Sequence, residues 1–290
     1  MDILDWLIAF IPILSFGLIP VIGTLIGGKP TEQSMGIALG GFVFSLIILI
    51  FRRPDISPHI FIIGFLSGVF WSIGSVGQFM GINALGVSRA TPMLNGGQII
   101  GTSILGVMLG DWASASAKTY GFIALFLIIV GIFFTSYKQQ DDNSKVKTQW
   151  ARGIIINLIA VLGFTAYVGI LKYYNIDGWS SIFPQSIGQI VAIYILGLVI
   201  FKAQSFTKFS FRNSVIGVIW GVGNIALLLS QASLGLSIAY PVSQAAVIVS
   251  VFGGVLINKE RKTRKEWISA GIGIAIICAG LFMIYLSGKH

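Results

Sequence analysis

Amide side chains recur inside long apolar stretches of this sequence, where hydrogen-bonding groups are rare. Asparagine and glutamine both donate and accept hydrogen bonds, so a set of them suits a neutral ligand that carries several hydroxyl groups. An amide that faced lipid would leave its donors and acceptors unsatisfied, so these side chains should face a helix or a wet cavity. The alternative is that they only join helices, each contributing about 1 kcal/mol. The candidate binding amides are Gln78, Asn95, Gln98, Asn224, Gln231 and Gln244.

Two tryptophans, Trp71 and Trp220, accompany the amides. An indole ring stacks on the apolar face of a sugar ring while its nitrogen donates a hydrogen bond, so both are further candidate binding residues. The alternative is that each tryptophan anchors a helix at the membrane surface.

These residues belong to an internal repeat with a constant offset of 149 positions. Near-identical membrane halves are how many secondary transporters build a central site. Asn95 and Gln244 are equivalent positions, three residues beyond Pro92 and Pro241. Each proline either starts a helix or breaks one beside the site and acts in gating, since proline frees backbone carbonyls. The clearest pairs are Gly68 and Gly217, Trp71 and Trp220, Gly74 and Gly223, Gly86 and Gly235, Ser88 and Ser237, and Pro92 and Pro241.

The composition indicates that these residues belong to a membrane protein. Of 290 residues, 55% are hydrophobic and only 10% are charged, too few to cover the surface of a water-soluble domain. Since a bilayer core of about 30 Å needs roughly 20 apolar residues per helix, we predict an all-α polytopic protein with ten transmembrane helices. The predicted spans are 3–26, 32–51, 58–80, 86–109, 117–137, 151–172, 180–201, 213–233, 237–258 and 267–287.

The longest polar stretch divides the predicted spans into five and five. We interpret residues 138–150 as a solvated linker between a first repeat, 1–137, and a second, 151–290. Because five is odd, the second half must enter the membrane in the opposite sense, so the repeat is predicted to be inverted.

The basic residues indicate orientation rather than nucleic-acid binding. The formal net charge is +9, and 14 of the 19 Lys and Arg residues fall in the loops that follow odd-numbered spans or next to them. The positive-inside rule then places these loops in the cytoplasm and both termini outside. Arg89 lies near a helix start, where it either reaches the cytoplasmic interface or pairs with a ligand.

Acidic residues are absent from the centres of the predicted spans. This argues against a cationic substrate, because exporters of cations and many proton pumps keep a carboxylate inside the membrane. Glu32 and Asp111, near span ends, are the candidates for proton coupling. The alternative is that both are ordinary helix-end charges.

Enzymatic groups are poorly represented, and we expect no catalytic residues, cofactor or metal site. Cys278 is the only cysteine, His59 is next to a proline at a span end and His290 is the last residue. These positions do not suit a metal site or a general base within the membrane.

Several stretches together resemble the bacterial glucose/ribose porter family of the ten-helix drug/metabolite transporter superfamily. The resemblance implies sugar uptake across the plasma membrane of a low-GC Gram-positive bacterium, driven by the proton gradient. It also implies a path lined by spans three, four, eight and nine, with the fifth and tenth spans forming a scaffold or a homodimer contact. The stretches are Gly27-Gly28-Lys29-Pro30, Gly86-Val87-Ser88-Arg89, Phe183-Pro184-Gln185-Ser186-Ile187-Gly188, Gly221-Val222-Gly223-Asn224, Ser230-Gln231 and Ser243-Gln244.

The sequence therefore predicts a carrier for glucose, or a similar neutral monosaccharide such as ribose, that works by alternating access. Two alternatives stay open: a metabolite or drug exporter of the same superfamily, and a sugar-sensing membrane protein that binds without transporting.

Overall fold

A computed structural model describes residues 3–85, 87–137, 149–202, 204–257, 259 and 262–288. Within these residues the chain is helical and has no strand. Residues 138–148 of the linker predicted at 138–150 lie outside the described residues, and the next helix begins at Trp150. The helices are α1 (Ile3–Ile26), α2 (Pro30–Arg52), α3 (Pro58–Leu85), α4 (Val87–Met108), α5 (Ala115–Thr135), α6 (Trp150–Tyr173), α7 (Gly178–Leu196), α8 (Lys208–Leu234), α9 (Leu236–Ser243), α10 (Ala246–Leu256) and α11 (Arg264–Ser287).

The helices match the ten predicted spans closely. Nine segments of the described chain are long and apolar enough to cross a membrane, and α9 and α10 share one of them, Leu236–Leu256. The tenth long helix is the more polar α4, which carries Asn95 and Gln98. The largest shift of a start is in α8, which begins at Lys208 rather than 213 because the Thr207 hydroxyl accepts from the Phe209 and Ser210 backbone N–H groups.

The ninth span is interrupted about a third of the way along, which was one of the two alternatives that the sequence left open for Pro241. Helix α9 ends at Ser243, two residues after Pro241, and α10 begins at Ala246. Across the break the Ala245 N–H donates to the Val242 carbonyl at 3.1 Å, a tighter turn than in an α-helix. In the first half, by contrast, α4 continues through Pro92 to Met108.

Several helix pairs have a counterpart in the other half of the chain. Helix α3 packs along α6 and against α7, whereas α8 packs along α1 and against α2. Helix α5 packs along α11.

Glycines allow the closest of these crossings. A Cβ atom on Gly40 of α2 would overlap the Ser214 carbonyl of α8 and lie 2.7 Å from the Gly217 Cα. A Cβ atom on Gly68 of α3 would likewise overlap the Gln185 carbonyl of α7. The backbones of α2 and α8 therefore touch directly, and so do those of α3 and α7, as small residues permit in membrane helices.

Two main apolar clusters result. One joins α5 and α11 through Ile128, Ile132 and Ile277, with contributions from α9. The other fills the space between α2, α3, α6, α8 and α9 and contains both Trp71 and Trp220.

Candidate functional site

The equivalent tryptophans of the two halves contact each other. The ring centroids of Trp71 on α3 and Trp220 on α8 are 5.0 Å apart, with an angle of 59° between the ring planes. Each side chain is only 4% exposed. This position is in the core, whereas an anchor at the membrane surface would keep its indole at the headgroup level.

Helix α6 extends this aromatic contact. The Phe164 ring meets the Trp71 ring edge-on at 6.4 Å and the Tyr167 ring at 6.2 Å. Gly74 leaves the room for Phe164, because a Cβ atom there would lie 2.7 Å from the Phe164 ring. The aromatic rings thus form one wall that crosses from α8 to α6.

Buried polar side chains of α3, α7 and α8 lie next to this wall. Asn224 follows Trp220 by four residues on α8, which places both on the same face. Its Nδ2 donates to Gln185 Oε1 of α7 at 2.6 Å. The Gln185 Nε2 donates to the Ser67 hydroxyl of α3 at 2.8 Å, and Ser67 donates to the Tyr167 carbonyl at 2.6 Å. This chain joins four helices inside the core.

Several amide atoms in the same region have no hydrogen-bond partner although they are buried. Asn224 Oδ1, Gln231 Oε1 and both amide atoms of Gln189 are in this state. Gln231 is held on its other side, because its Nε2 donates to the Val168 carbonyl at 3.3 Å. A buried amide without partners costs about 1 to 3 kcal/mol, so these atoms need a ligand or water to complete them. We call Ser67, Gln185, Gln189, Asn224 and Gln231 the central polar group; all five side chains are uncharged.

The candidate residues of α4 lie across from α9. The Tyr240 hydroxyl donates to Gln98 Oε1, and both residues are buried. Asn95 is half-buried one turn before Gln98. Gln244 lies at the break between α9 and α10, also half-buried, and its Nε2 is 3.5 Å from the Ser243 hydroxyl. Gln78 is half-buried on α3, two turns beyond Trp71.

The two acidic candidates lie at helix ends. Glu32 is in the first turn of α2, where its Oε2 accepts from the Lys29 backbone N–H at 2.6 Å. Asp111 follows α4, and its Oδ2 accepts from the Ser237 backbone N–H in the first turn of α9 at 2.8 Å. Its Oδ1 lies 3.6 Å from the Lys172 ammonium of α6. Asp111 therefore ties the ends of three helices together.

Gln185, Gln189 and Tyr240 were not among the candidate binding residues predicted from the sequence. The spacing of Gln185 and Gln189 was a usable signal, since residues four apart share a helix face. Both have fully buried side chains. Among the described residues, no group of three or more His, Cys, Asp and Glu side chains could hold a metal ion.

Comparison with known proteins identifies the family. The model of the family described as "Sugar transport protein" matches residues 7–287. The chain belongs to this sugar transport protein family. A relative from Bacillus subtilis, the glucose uptake protein GlcU, is 37% identical over 279 residues, which cover 95% of this chain and 96% of that one. A protein of Listeria monocytogenes with "sugar uptake" in its name is 39% identical over 278 residues, 96% of this chain and 97% of the relative.

Membership of this family agrees with the apolar helices, which make the chain a multi-pass membrane protein. Its relatives are named for uptake rather than for a chemical reaction. A solved crystal structure matches with a TM-score of 0.72 at 12% identity and covers 100% of this chain and 99% of its own. At that identity the match shows the fold alone.

Proposed function

We propose that this protein takes up glucose, or a similar neutral monosaccharide such as ribose, across the bacterial plasma membrane by alternating access. The observation that carries the proposal is the central polar group beside the Trp71–Trp220 contact, in which buried amide atoms stand without partners. Sugar hydroxyls both donate and accept, so they complete such atoms, and an aromatic wall suits the apolar face of the ring.

The charge of the site supports a neutral substrate. The central polar group holds no charged side chain, and Gln98, Tyr240 and the two tryptophans add none. An ammonium or carboxylate ligand buried there would lack the ionic partner that a low-dielectric site requires. The names of the relatives, glucose uptake among them, point to the same class of substrate.

Alternating access follows from a five-plus-five inverted repeat, with residues 1–137 and 151–290 as the halves. Two pairs of contacts support this arrangement. The contact between α3 and α6 corresponds to that between α8 and α1, and the contact between α3 and α7 corresponds to that between α8 and α2. The basic loops then face the cytoplasm, and both termini face outside. Substrate binds near the axis that relates the halves, which is where inverted-repeat carriers place their sites.

Uptake of labelled glucose into proteoliposomes tests this function. The purified protein is reconstituted, and uptake is measured with and without an inward proton gradient, in competition with ribose, other monosaccharides and amino acids. Saturable uptake inhibited by monosaccharides alone supports the proposal. Absence of uptake of every sugar tested would contradict it and favour the exporter.

Asp111 is the residue to which we assign proton coupling. Its carboxylate joins the start of α9 to the ends of α4 and α6, so protonation would release the Lys172 ion pair and loosen this end of the bundle. Glu32 lacks such a position, because its carboxylate caps its own helix.

Asp111→Asn keeps an oxygen for the Ser237 N–H but removes the charge and the protonation step. We expect stimulation of uptake by the gradient to disappear, while exchange of glucose across the membrane without a gradient stays within about twofold. The matched control is Asp177→Asn, at the cap of α7, where the carboxylate accepts from the Trp179 backbone N–H at 2.7 Å. This control keeps the stimulation. A gradient effect that persists in Asp111→Asn rules Asp111 out as the coupling residue.

A further inference from the structure

Gln189 differs from every other amide near the tryptophans. Its side chain is fully buried, and neither Nε2 nor Oε1 has a hydrogen-bond partner. One turn earlier on the same face of α7, Gln185 is equally buried, but both its amide atoms are bonded, to Ser67 and Asn224. The same helix face therefore carries one completed amide and one incomplete amide.

The backbone at Gln189 is held firmly, so the incomplete amide does not result from a loose helix. The Ser72 hydroxyl of α3 donates to the Gln189 carbonyl at 3.2 Å. The Gln189 backbone nitrogen lies against Gly68 of α3, where a Cβ atom would be 2.8 Å away. Only the side chain of Gln189 remains without partners.

That side chain and the Trp220 ring border the same glycine. A Cβ atom on Gly41 of α2 would lie 3.7 Å from Gln189 Oε1 and 3.2 Å from the Trp220 ring. Gly41 has no side chain, so the gap between the amide oxygen and the indole is about as wide as one methyl group. An amide and an aromatic face are the two elements that hold a hydroxylated ring, and the helices must move apart, as alternating access requires, before the ring enters between them.

We infer that Gln189 is a specificity-determining residue that binds a hydroxyl group of the sugar directly, with the free Oδ1 of Asn224 as a second acceptor. This inference rests on the proposed function and adds a residue to it. The amide donates through Nε2 and accepts through Oε1, so it pairs with one hydroxyl in both directions or with two neighbouring hydroxyls. A ligand without that hydroxyl leaves the amide unpaired, and such sites discriminate strongly against it.

The test compares Gln189→Met with Gln185→Met in the purified full-length protein. Methionine is apolar, unbranched and close to glutamine in length, so it removes the amide without opening a large cavity. Binding of labelled glucose, its displacement by a series of monodeoxyglucoses and the midpoint of thermal unfolding are measured for each variant.

We expect Gln189→Met to unfold at the same temperature as the wild type or higher, because it removes a buried amide that has no partners. We expect it to bind glucose at least tenfold more weakly. In the wild type, one deoxyglucose binds much more weakly than glucose; in Gln189→Met that difference disappears. Gln185→Met should unfold at a lower temperature, since it breaks two buried hydrogen bonds.

Two results overturn the inference, and they are distinguishable from a failure of the proposed function. In the first, the wild-type protein binds glucose, and Gln189→Met binds it equally well or keeps the same preference among the deoxyglucoses. That result shows that Gln189 does not contact the sugar. A fall in the unfolding temperature of Gln189→Met makes the amide structural instead. Wild-type protein that binds no monosaccharide contradicts the proposed function itself.

Discussion

Asn224→Ala is expected to reduce glucose uptake about a hundredfold, equivalent to about 2.8 kcal/mol. Asn224 is fully buried, its Nδ2 holds Gln185 at 2.6 Å and its Oδ1 has no partner. The substitution removes a proposed contact to the sugar. It also leaves Gln185 Oε1 unpaired, so the Gln185 amide is free to turn away from the site. Both effects act on the same site, which makes this the largest functional loss we predict from one side chain.

The control for Asn224→Ala is a second fully buried amide of the same helix. Asn213 lies about three turns earlier on α8 and donates to the Gly27 carbonyl at 3.0 Å and the Phe209 carbonyl at 2.8 Å. Asn213→Ala should lower stability but leave uptake per folded molecule nearly unchanged. Initial rates in proteoliposomes, normalised to folded protein from size-exclusion chromatography, make the comparison. Equal losses in the two variants would show that removing any buried amide from α8 has this effect.

Gly40→Ala is expected to produce the largest loss of stability. The added methyl group would overlap the Ser214 carbonyl and approach the Gly217 Cα to 2.7 Å, and both are backbone atoms that no rotamer change can move aside. Helices α2 and α8 must then separate along their contact, at a cost of about 3 kcal/mol. Thermal unfolding and the yield of folded protein in detergent measure the effect.

Gly271→Ala provides the matched control in a membrane helix. Gly271 lies on α11, and apart from its chain neighbours and the backbone of its own helix no atom lies within 4 Å of the position that an added methyl group would take, so the substitution meets open space. Alanine favours helix over glycine by up to about 1 kcal/mol, so this variant should be as stable as the wild type or slightly more stable. Similar stability of the two variants would contradict the direct backbone contact between α2 and α8.

The ten helical segments and most of their bounds could be predicted from the sequence, because apolar length and charged breaks determine them locally. The sequence left open whether Pro92 and Pro241 start or break a helix, and it could not show that only the break after Pro241 forms. Proline removes one N–H in either place, but α4 continues while α9 ends at Ser243. The difference depends on tertiary packing, which the repeat pattern does not contain.

The candidate site was predictable as a set of residue types but not as a set of contacts. The constant offset predicted that Trp71 and Trp220 are equivalent, and their 5.0 Å contact then follows only from how α3 and α8 pack. Likewise, Gln185 and Gln189 have the same residue type, burial and helix face. Only the position of Asn224 and Ser67 makes one amide complete and leaves the other without partners.

The most direct test of the proposed sugar site is an experimental structure of the protein with glucose bound. We predict one sugar ring beside the Trp71–Trp220 contact, with hydroxyl groups within hydrogen-bond distance of Asn224 and Gln189. A sugar bound elsewhere would contradict this site, for example in the surface groove of about 800 Å³ bordered by Trp6, Phe10 and Tyr285.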